Sequence, residues 1–198
     1  MRLEFWFDFG STYSYPAVMR VEKAIQAYAI DIHWRPFLLG AIFNDQGLND
    51  SPFNIVKAKG DYMWRDMQRI CDKANYAFRH PSVFPRNGLL AARVATMHEN
   101  EEWVASFIQS IFRENFEFDR DISSNQVVSN CLDKLGLNAD SIIKQALSQT
   151  SKDKLFEQTE EAKRKAIFGA PMFVVGEELF WGNDKLEEAV EWLLNQQN

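Results

Sequence analysis

Apolar and polar side chains alternate over the first residues of the chain, and this pattern predicts that a β-strand opens the fold. Every second position carries a large apolar residue, at Leu3, Phe5, Phe7 and Phe9. A period of two places these side chains on one face of a sheet. Residues 17–28 then show apolar positions at helical spacing, and residues 30–37 form a second strand-like run. Strand, helix and strand in this order predict a parallel βαβ unit with a right-handed connection.

Helical patterns fill the middle of the chain. Residues 40–51 are rich in Gly, Asn and Asp and are predicted to form a loop. About a hundred residues with helical spacing follow, with a break at Pro81 and Pro85 and a helix end at Gly136. We find no comparably strong strand pattern within this part of the sequence. It is therefore predicted to be helical.

The last part of the chain returns to β-structure. Residues 172–175 and 179–181 are short apolar runs that flank a Gly-Glu-Glu turn, which predicts a β-hairpin. Asn183 is then predicted to cap a closing helix. The order βαβ, helical block, ββα is that of an α/β, thioredoxin-like domain with a large all-helical insertion.

This order of elements predicts a discontinuous domain. We expect residues 1–40 and 165–198 to form the thioredoxin-like domain, and residues 41–164 to form a connecting loop and the helical insertion. The βαβ and ββα units must share one sheet. Residues from the two ends of the chain are therefore predicted to meet in one folded site.

Length and charge exclude several classes of protein. The chain has 198 residues, of which 46% are hydrophobic, and this is enough for a sizeable core. A formal net charge of −6 argues against a nucleic-acid partner. The sequence contains no apolar stretch long enough to span a membrane, and the N-terminal residues lack a secretory pattern. We therefore expect a cytoplasmic protein with neither a nucleic-acid nor a membrane partner.

The cysteines and histidines are scattered. Cys71 and Cys131 lie far apart inside helical patterns, so they form no CxxC pair and are predicted to be buried free thiols. His33, His80 and His98 lack the spacing of metal ligands. We expect no metal site.

Ser11 occupies the loop in which redox proteins of this fold carry the first cysteine of a CxxC motif. A hydroxyl forms no disulfide and stays protonated near pH 7, so dithiol chemistry is excluded unless another molecule supplies the sulfur. The sulfur of a bound thiol such as glutathione would meet the Ser11 hydroxyl and the amides of the first helical turn, and both favour the thiolate. Lowering a thiol pKa from about 8.5 to about 7 requires about 2 kcal/mol, which one hydrogen bond to a charged group can provide.

Two segments carry a resemblance to a known family. FDFGSTYSYPA, residues 7–17, and FGAPMFVVGEELFWGND, residues 168–184, resemble the 2-hydroxychromene-2-carboxylate isomerase family, relatives of the kappa-class glutathione transferases. The resemblance covers essentially the whole chain. It implies a DsbA-like thioredoxin fold, glutathione as the cofactor, a homodimer, and Ser11 as the catalytic residue that activates the glutathione sulfur.

The resemblance also assigns further residues to the glutathione site. Ala170 precedes a proline that is expected to be cis, and its backbone would pair with the cysteinyl peptide. Asn49 is the candidate for the family's binding asparagine, and Lys59 for a basic residue that faces glutathione or an acidic substrate. The γ-glutamyl end would bind at a four-residue segment near the C-terminus, in which the aspartate pairs with the ammonium group: Trp181, Gly182, Asn183 and Asp184.

On the substrate side, the candidates are Tyr13, beside Ser11, and Arg86, because an arginine can hold a carboxylate bidentately. The implied activity interconverts 2-hydroxychromene-2-carboxylate and trans-o-hydroxybenzylidenepyruvate, or a related aromatic unsaturated carboxylate, through reversible thiolate addition. Two alternatives remain open. One is a kappa-like glutathione transferase or peroxidase that acts on electrophiles, and the other is a non-catalytic glutathione-binding protein in which Ser11 only caps a helix.

Overall fold

A single mixed sheet joins the two ends of the chain in the computed structural model, which describes residues 1–196. Its strands are β1 (Arg2–Phe7), β2 (Asp31–Pro36), β3 (Met172–Val175) and β4 (Glu178–Trp181). They lie in the order β2-β1-β3-β4, with β1 parallel to β2 and antiparallel to β3. The β1 residue Trp6 pairs with Arg35 on one side and Met172 on the other. The predicted sharing of one sheet by both chain ends is confirmed.

Helices make up most of the rest of the described chain. They are α1 (Ser14–Ile25), α2 (Leu39–Asp45), α3 (Pro52–Ile55), α4 (Lys57–Ala74), α5 (Leu89–Met97), α6 (Val104–Phe116), α7 (Asn125–Lys134), α8 (Ala139–Ala146), α9 (Gln149–Arg164) and α10 (Leu186–Asn195). A 3₁₀ turn, Asn183–Lys185, precedes α10. Helices α2 to α9 follow β2 and precede β3, so the predicted helical block and the α/β, thioredoxin-like arrangement are confirmed. The division into two domains stays a prediction, and residues 197–198 at its end lie outside the described residues.

The loop predicted over residues 40–51 is wrong in its first half, where α2 forms. Leu39 donates its backbone N–H to Asp8 Oδ2 at 3.0 Å, which satisfies one of the free amides at the helix N-terminus. Ile42 is buried in the same apolar cluster as Trp6. Both contacts join residues that are distant in the sequence, so local composition does not indicate them.

The sheet is buried on both faces. On one face Phe5 and Phe173 pack with ring centroids 4.8 Å apart, within the main apolar core. On the other face Trp6 and Phe37 belong to a second cluster that α2 and α9 cover. Strand β1 is therefore held from both sides, and the loop that follows it starts from a fixed position.

The two cysteines are buried and free, as predicted. Burial raises the pKa of the Cys71 thiol to about 12 and that of the Cys131 thiol to about 11, so both stay protonated at neutral pH. Within residues 1–196, no group of three or more His, Cys, Asp and Glu side chains is placed to hold a metal ion. No helix of this described range has the length and apolar character to cross a membrane.

Candidate functional site

Ser11 lies in a tight turn between β1 and α1. Its backbone N–H donates to the Asp8 carbonyl oxygen at 3.0 Å, and the Gly10 N–H donates to Asp8 Oδ1 at 2.7 Å. An ideal Cβ at Gly10 would lie 2.9 Å from the Arg86 carbonyl oxygen, so the packing of this turn requires glycine. The turn is therefore fixed both by its own hydrogen bonds and by the segment before α5.

The Ser11 hydroxyl connects the two ends of the chain. It accepts a hydrogen bond from the N–H of Ser14, the first residue of α1, at 3.3 Å. It donates to the carbonyl oxygen of Ala170, 159 residues later, at 3.0 Å. The Ala170–Pro171 peptide bond is cis, as predicted. The hydroxyl thus lies between a helix N-terminus and the loop before β3.

A cleft of about 1910 Å³ opens beside this hydroxyl. It exceeds the usual volume of about 300–1000 Å³ for a site that holds one small molecule. All ten residues that the sequence proposes for binding or catalysis line it: Ser11, Tyr13, Asn49, Lys59, Arg86, Ala170, Trp181, Gly182, Asn183 and Asp184. The structure brings these residues together, while their individual roles stay predictions.

The turn after β4 differs from the prediction at Asn183. That residue does not cap the closing helix, because a 3₁₀ turn comes first and α10 begins at Leu186. The Asn183 side chain instead accepts a hydrogen bond from Arg20 Nε at 2.9 Å. Asp184 is exposed at the cleft, and its carboxylate folds back over Gly182. We call residues 181–185 the C-terminal turn.

Gly182 has a backbone conformation that side chains rarely allow, with φ 116° and ψ 156°. An ideal Cβ there would lie 2.6 Å from Asp184 Oδ1. We expect Gly182→Ala to lower the free energy of unfolding in urea titrations by about 3 kcal/mol. Gly176→Ala is the matched control, because Gly176 has φ 63° and a Cβ there would meet no atom of the described residues within 4 Å. Gly176→Ala should lower the free energy of unfolding by only about 1 kcal/mol, and equal losses of stability in the two variants would contradict the prediction.

Two aromatic side chains stand at the edge of the cleft beside the C-terminal turn. The rings of Phe168 and Trp181 meet edge to face with centroids 5.0 Å apart. An ideal Cβ at Gly169 would lie 2.5 Å from the Trp181 indole nitrogen. The glycine of the FGAP segment therefore makes room for the tryptophan of the WGND segment, and the two segments are in contact.

Tyr13 lies on the cleft wall near α4. Its hydroxyl donates to Asp66 Oδ2 at 3.1 Å, and its ring lies 6.1 Å from that of Phe53. Burial, followed by the Asp66 charge, raises the pKa of Tyr13 above its ordinary value. The hydroxyl therefore stays protonated. Asn49 and Lys59 are exposed at the rim of the same cleft.

Arg86 is 7% exposed, and protein acceptors surround its guanidinium group. It donates to the carbonyl and side-chain oxygens of Asn115 at 3.2 and 3.1 Å, and to Ser82 Oγ at 2.9 Å. It also forms an ion pair with Asp119. Asn115 in turn donates to the Phe9 carbonyl oxygen at 3.1 Å, next to the Ser11 turn. The Arg86 side chain therefore has a structural role in this network, while its predicted contact with substrate stays a prediction.

The family model of the DSBA-like thioredoxin domain matches residues 2–193. The chain belongs to this family. A curated 2-hydroxychromene-2-carboxylate isomerase of Pseudomonas putida is 29% identical over 191 residues, which cover 94% of this chain and 91% of the relative. Glutathione S-transferase kappa 1 of Homo sapiens is 24% identical, with 93% and 87% covered. A solved structure of a 2-hydroxychromene-2-carboxylate isomerase superposes with a TM-score of 0.88 at 25% identity and covers 100% of this chain and 98% of that one.

These similarities confirm the DsbA-like thioredoxin fold and the resemblance inferred from the two motifs. Members of the DSBA-like family share the fold, so the chemistry depends on the residues at the Ser11 turn. Here the turn offers a hydroxyl, a helix N-terminus and a backbone carbonyl, with an exposed carboxylate at Asp184 further along the cleft. This set of donors and acceptors fits a thiol-containing peptide, because it can meet a sulfur, a peptide group and an ammonium group.

Sequence reasoning did not single out Asp8 and Arg20, two charged residues that line the cleft. Burial raises the pKa of the Asp8 carboxyl, an effect partly opposed by hydrogen bonds from the N–H groups of Leu39 and Gly10. A signal for it exists, since a lone aspartate in the aromatic run FWFDF marks a buried charge. Arg20 gives no such signal because an arginine on the polar face of an amphipathic helix is indistinguishable from a solvent-exposed one.

Proposed function

We propose that the protein is a glutathione-dependent isomerase that interconverts 2-hydroxychromene-2-carboxylate and trans-o-hydroxybenzylidenepyruvate, or a related aromatic unsaturated carboxylate. The observation that carries the proposal is the position of the Ser11 hydroxyl between the α1 N-terminus and the Ala170 carbonyl, inside a cleft lined by both chain ends. The similarity to relatives named as this isomerase and as a kappa-class transferase supports it.

The proposed role of Ser11 is to stabilise a negatively charged sulfur. Glutathione, when bound, supplies the thiolate that adds to the substrate reversibly and lets the former double bond rotate. The Ser11 hydroxyl can turn its proton from the Ala170 carbonyl to this sulfur. A hydrogen bond to a charged group contributes about 1.5–3 kcal/mol, and a helix N-terminus about 0.3–1 kcal/mol. Together they can lower the thiol pKa by one unit or more without a general base.

The rest of the cleft would hold the remainder of the tripeptide. Once the Ser11 proton points to sulfur, the Ala170 carbonyl is free to accept a hydrogen bond from the cysteinyl peptide. The exposed Asp184 carboxylate would pair with the γ-glutamyl ammonium group, beside Trp181, Gly182 and Asn183. Asn49 and Lys59 are exposed at the rim of the cleft, where the glycyl carboxylate or the carboxylate of the substrate would bind.

The wall beside Tyr13 suits an aromatic substrate. Tyr13 and Phe53 are neighbours there, and Tyr62 is 62% exposed. Their rings can pack against a planar ring of the substrate, while Lys59 offers a positive charge to its carboxylate. The large cleft volume accommodates the cofactor and the substrate side by side.

The test is an ultraviolet assay of 2-hydroxychromene-2-carboxylate with substoichiometric glutathione, combined with calorimetry of glutathione binding. We expect conversion of the chromene to the open-chain product, with glutathione required but not consumed. Binding should be detected at millimolar glutathione or below. No binding at that concentration, or conversion that does not depend on glutathione, would refute the proposal.

The similarity to a human kappa-class transferase favours a second candidate, a transferase that conjugates electrophiles. The measurement that separates the two is the stoichiometric consumption of glutathione with chlorodinitrobenzene as the acceptor. Conjugation without isomerisation would replace the first proposal with the second.

A further inference from the structure

Arg20 connects the helix that begins beside Ser11 to the C-terminal turn. It lies on α1, six positions after Ser14, and it lines the cleft. Its Nε donates to Asn183 Oδ1 at 2.9 Å, and one terminal nitrogen donates to the Asn183 carbonyl oxygen. Both terminal nitrogens contact the Glu187 carboxylate, one of them at 3.1 Å. All three guanidinium nitrogens therefore bind the C-terminal turn or the first turn of α10.

Besides Arg20, the C-terminal turn is held mainly by backbone hydrogen bonds, from the Gly182 N–H to the Pro171 carbonyl oxygen at 3.0 Å and from the Lys185 N–H to the Gly182 carbonyl oxygen at 3.2 Å. The 3₁₀ turn and α10 both begin without a side-chain capping hydrogen bond. Its one glycine, Gly182, has an unusual backbone conformation. A planar guanidinium that binds two groups of Asn183 at once fixes the orientation of the chain immediately before Asp184.

Helix α1 also sets the distance along the cleft. The rise from Ser14 to Arg20 is about 9 Å, because an α-helix advances 1.5 Å per residue. Two extended peptide residues span about 7 Å. Helix α1 thus connects the Ser11 turn to the C-terminal turn over a distance comparable to the length of a short peptide.

We propose that Arg20 is a positioning residue for the γ-glutamyl end of glutathione, which it serves by holding the C-terminal turn so that Asp184 faces the cleft. The inference rests on the proposed function, since it presumes that glutathione occupies the cleft. Arg20 itself touches neither the sulfur nor the reacting bond. Its loss should therefore weaken binding and spare the chemical step.

Steady-state kinetics of Arg20→Met test the inference. We expect KM for glutathione to rise about tenfold, the effect of one lost charge-assisted hydrogen bond, while kcat at saturating glutathione stays within about twofold. Arg20→Lys should fall between wild type and Arg20→Met, because lysine keeps the charge but lacks the fork of donors. Lys23→Met, which removes an exposed charge from the same helix, should leave both constants unchanged.

The dipeptide Cys-Gly, which lacks the γ-glutamyl group, provides the second readout. As the thiol in the same assay, it should give the same kcat/KM with wild type and with Arg20→Met, so that the preference for glutathione over the dipeptide falls about tenfold. An equal loss for both thiols, or a fall in kcat with KM unchanged, would overturn the inference. If wild-type protein fails to bind glutathione in calorimetry, the proposed function itself fails. Wild-type binding with an unchanged KM in Arg20→Met rejects only the role of Arg20.

Discussion

Replacement of Ser11 by alanine is expected to lower glutathione-dependent kcat/KM about 15-fold at pH 7, because a rise of the bound-thiol pKa from about 7 to about 8.5 cuts the thiolate fraction from about one half to about 3%. The variant keeps the cleft and the α1 N-terminus but offers the sulfur no hydroxyl proton. The measurement is the initial rate of isomerisation at several glutathione concentrations. A Ser11→Ala variant with wild-type turnover would exclude the proposed role of the hydroxyl.

Ser148→Ala is a matched control, because Ser148 is also a serine that accepts a hydrogen bond from the backbone N–H three residues later. Ser148 Oγ accepts from the Ser151 N–H at 3.2 Å at the start of α9, and Ser11 Oγ accepts from the Ser14 N–H at 3.3 Å. Each variant loses one hydrogen bond between a serine hydroxyl and a backbone N–H at the start of a helix, and such a bond typically contributes about 1 kcal/mol to stability. We expect similar losses of stability but a loss of turnover only in Ser11→Ala. Loss of turnover in both variants would mean that Ser11 affects activity only through the stability of the fold.

The pH dependence separates loss of thiolate stabilisation from loss of folding. In the wild type, the acidic limb of the rate profile should reflect a bound thiol with a pKa near 7, and in Ser11→Ala this limb should move towards the free-thiol value of about 8.5. The ratio of the wild-type rate to the Ser11→Ala rate is therefore largest near pH 6 and shrinks above about pH 9, where the thiol is ionised without stabilisation by Ser11. A deficit of constant size across this range would contradict the assignment.

Replacement of Arg86 by methionine is expected to lower the free energy of unfolding by about 3 kcal/mol, because a buried charged partner is removed from several acceptors. For a chain of this size the melting temperature should fall by about 6–12 °C. Urea titration and thermal melts measure the two effects. Arg65→Met, at an exposed arginine of α4, should change neither.

Acid conditions give a second test of the Arg86 network. A backbone hydrogen bond from Ser82, followed by the Arg86 guanidinium, lowers the pKa of the Asp119 carboxyl to about 2 from its ordinary value of 3.8. A pKa lowered by folding means that the ionised group stabilises the fold above pH 4 and that this stabilisation is lost as the pH falls towards 2. The acid-dependent loss should be smaller in Arg86→Met. An unchanged stability with a raised KM for the substrate would instead support the substrate role first predicted for Arg86.

Local patterns in the sequence account for the elements that lie at the core. The alternation around Phe5 and Phe7 predicts β1 because a strand buried on its faces must carry large apolar side chains. The hairpin at residues 172–181 follows from two short apolar runs around a glycine turn. Ser11 and Ala170 could be assigned to one site in advance because both motifs belong to one known family pattern, and the structure places Ser11 Oγ 3.0 Å from the Ala170 carbonyl oxygen.

The features that sequence reasoning missed all depend on contacts between distant residues. Helix α2 begins where the Leu39 N–H donates a hydrogen bond to the Asp8 carboxylate. The two residues are 31 positions apart, so the local composition of the sequence does not indicate this contact. Arg86 has the side chain expected of a residue that binds a carboxylate, but its guanidinium group already binds the Asn115 and Asp119 side chains. Side-chain type alone therefore identified which residues reach the cleft but not which of them are free to bind a ligand.

The hydrogen bond between Ser11 and Ala170 also has a consequence for biosynthesis. The two residues are 159 positions apart, so the second is made on the order of 10 seconds after the first at ribosomal rates. A nascent chain that stops short of residue 170 contains Ser11 and most of the helices. It lacks the Ala170 carbonyl, which accepts the hydrogen bond from the Ser11 hydroxyl. The proposed thiol-binding site can therefore form only after Ala170 and the β3–β4 hairpin have been synthesised, and ligand capture can stabilise the native state only from that point of translation onward.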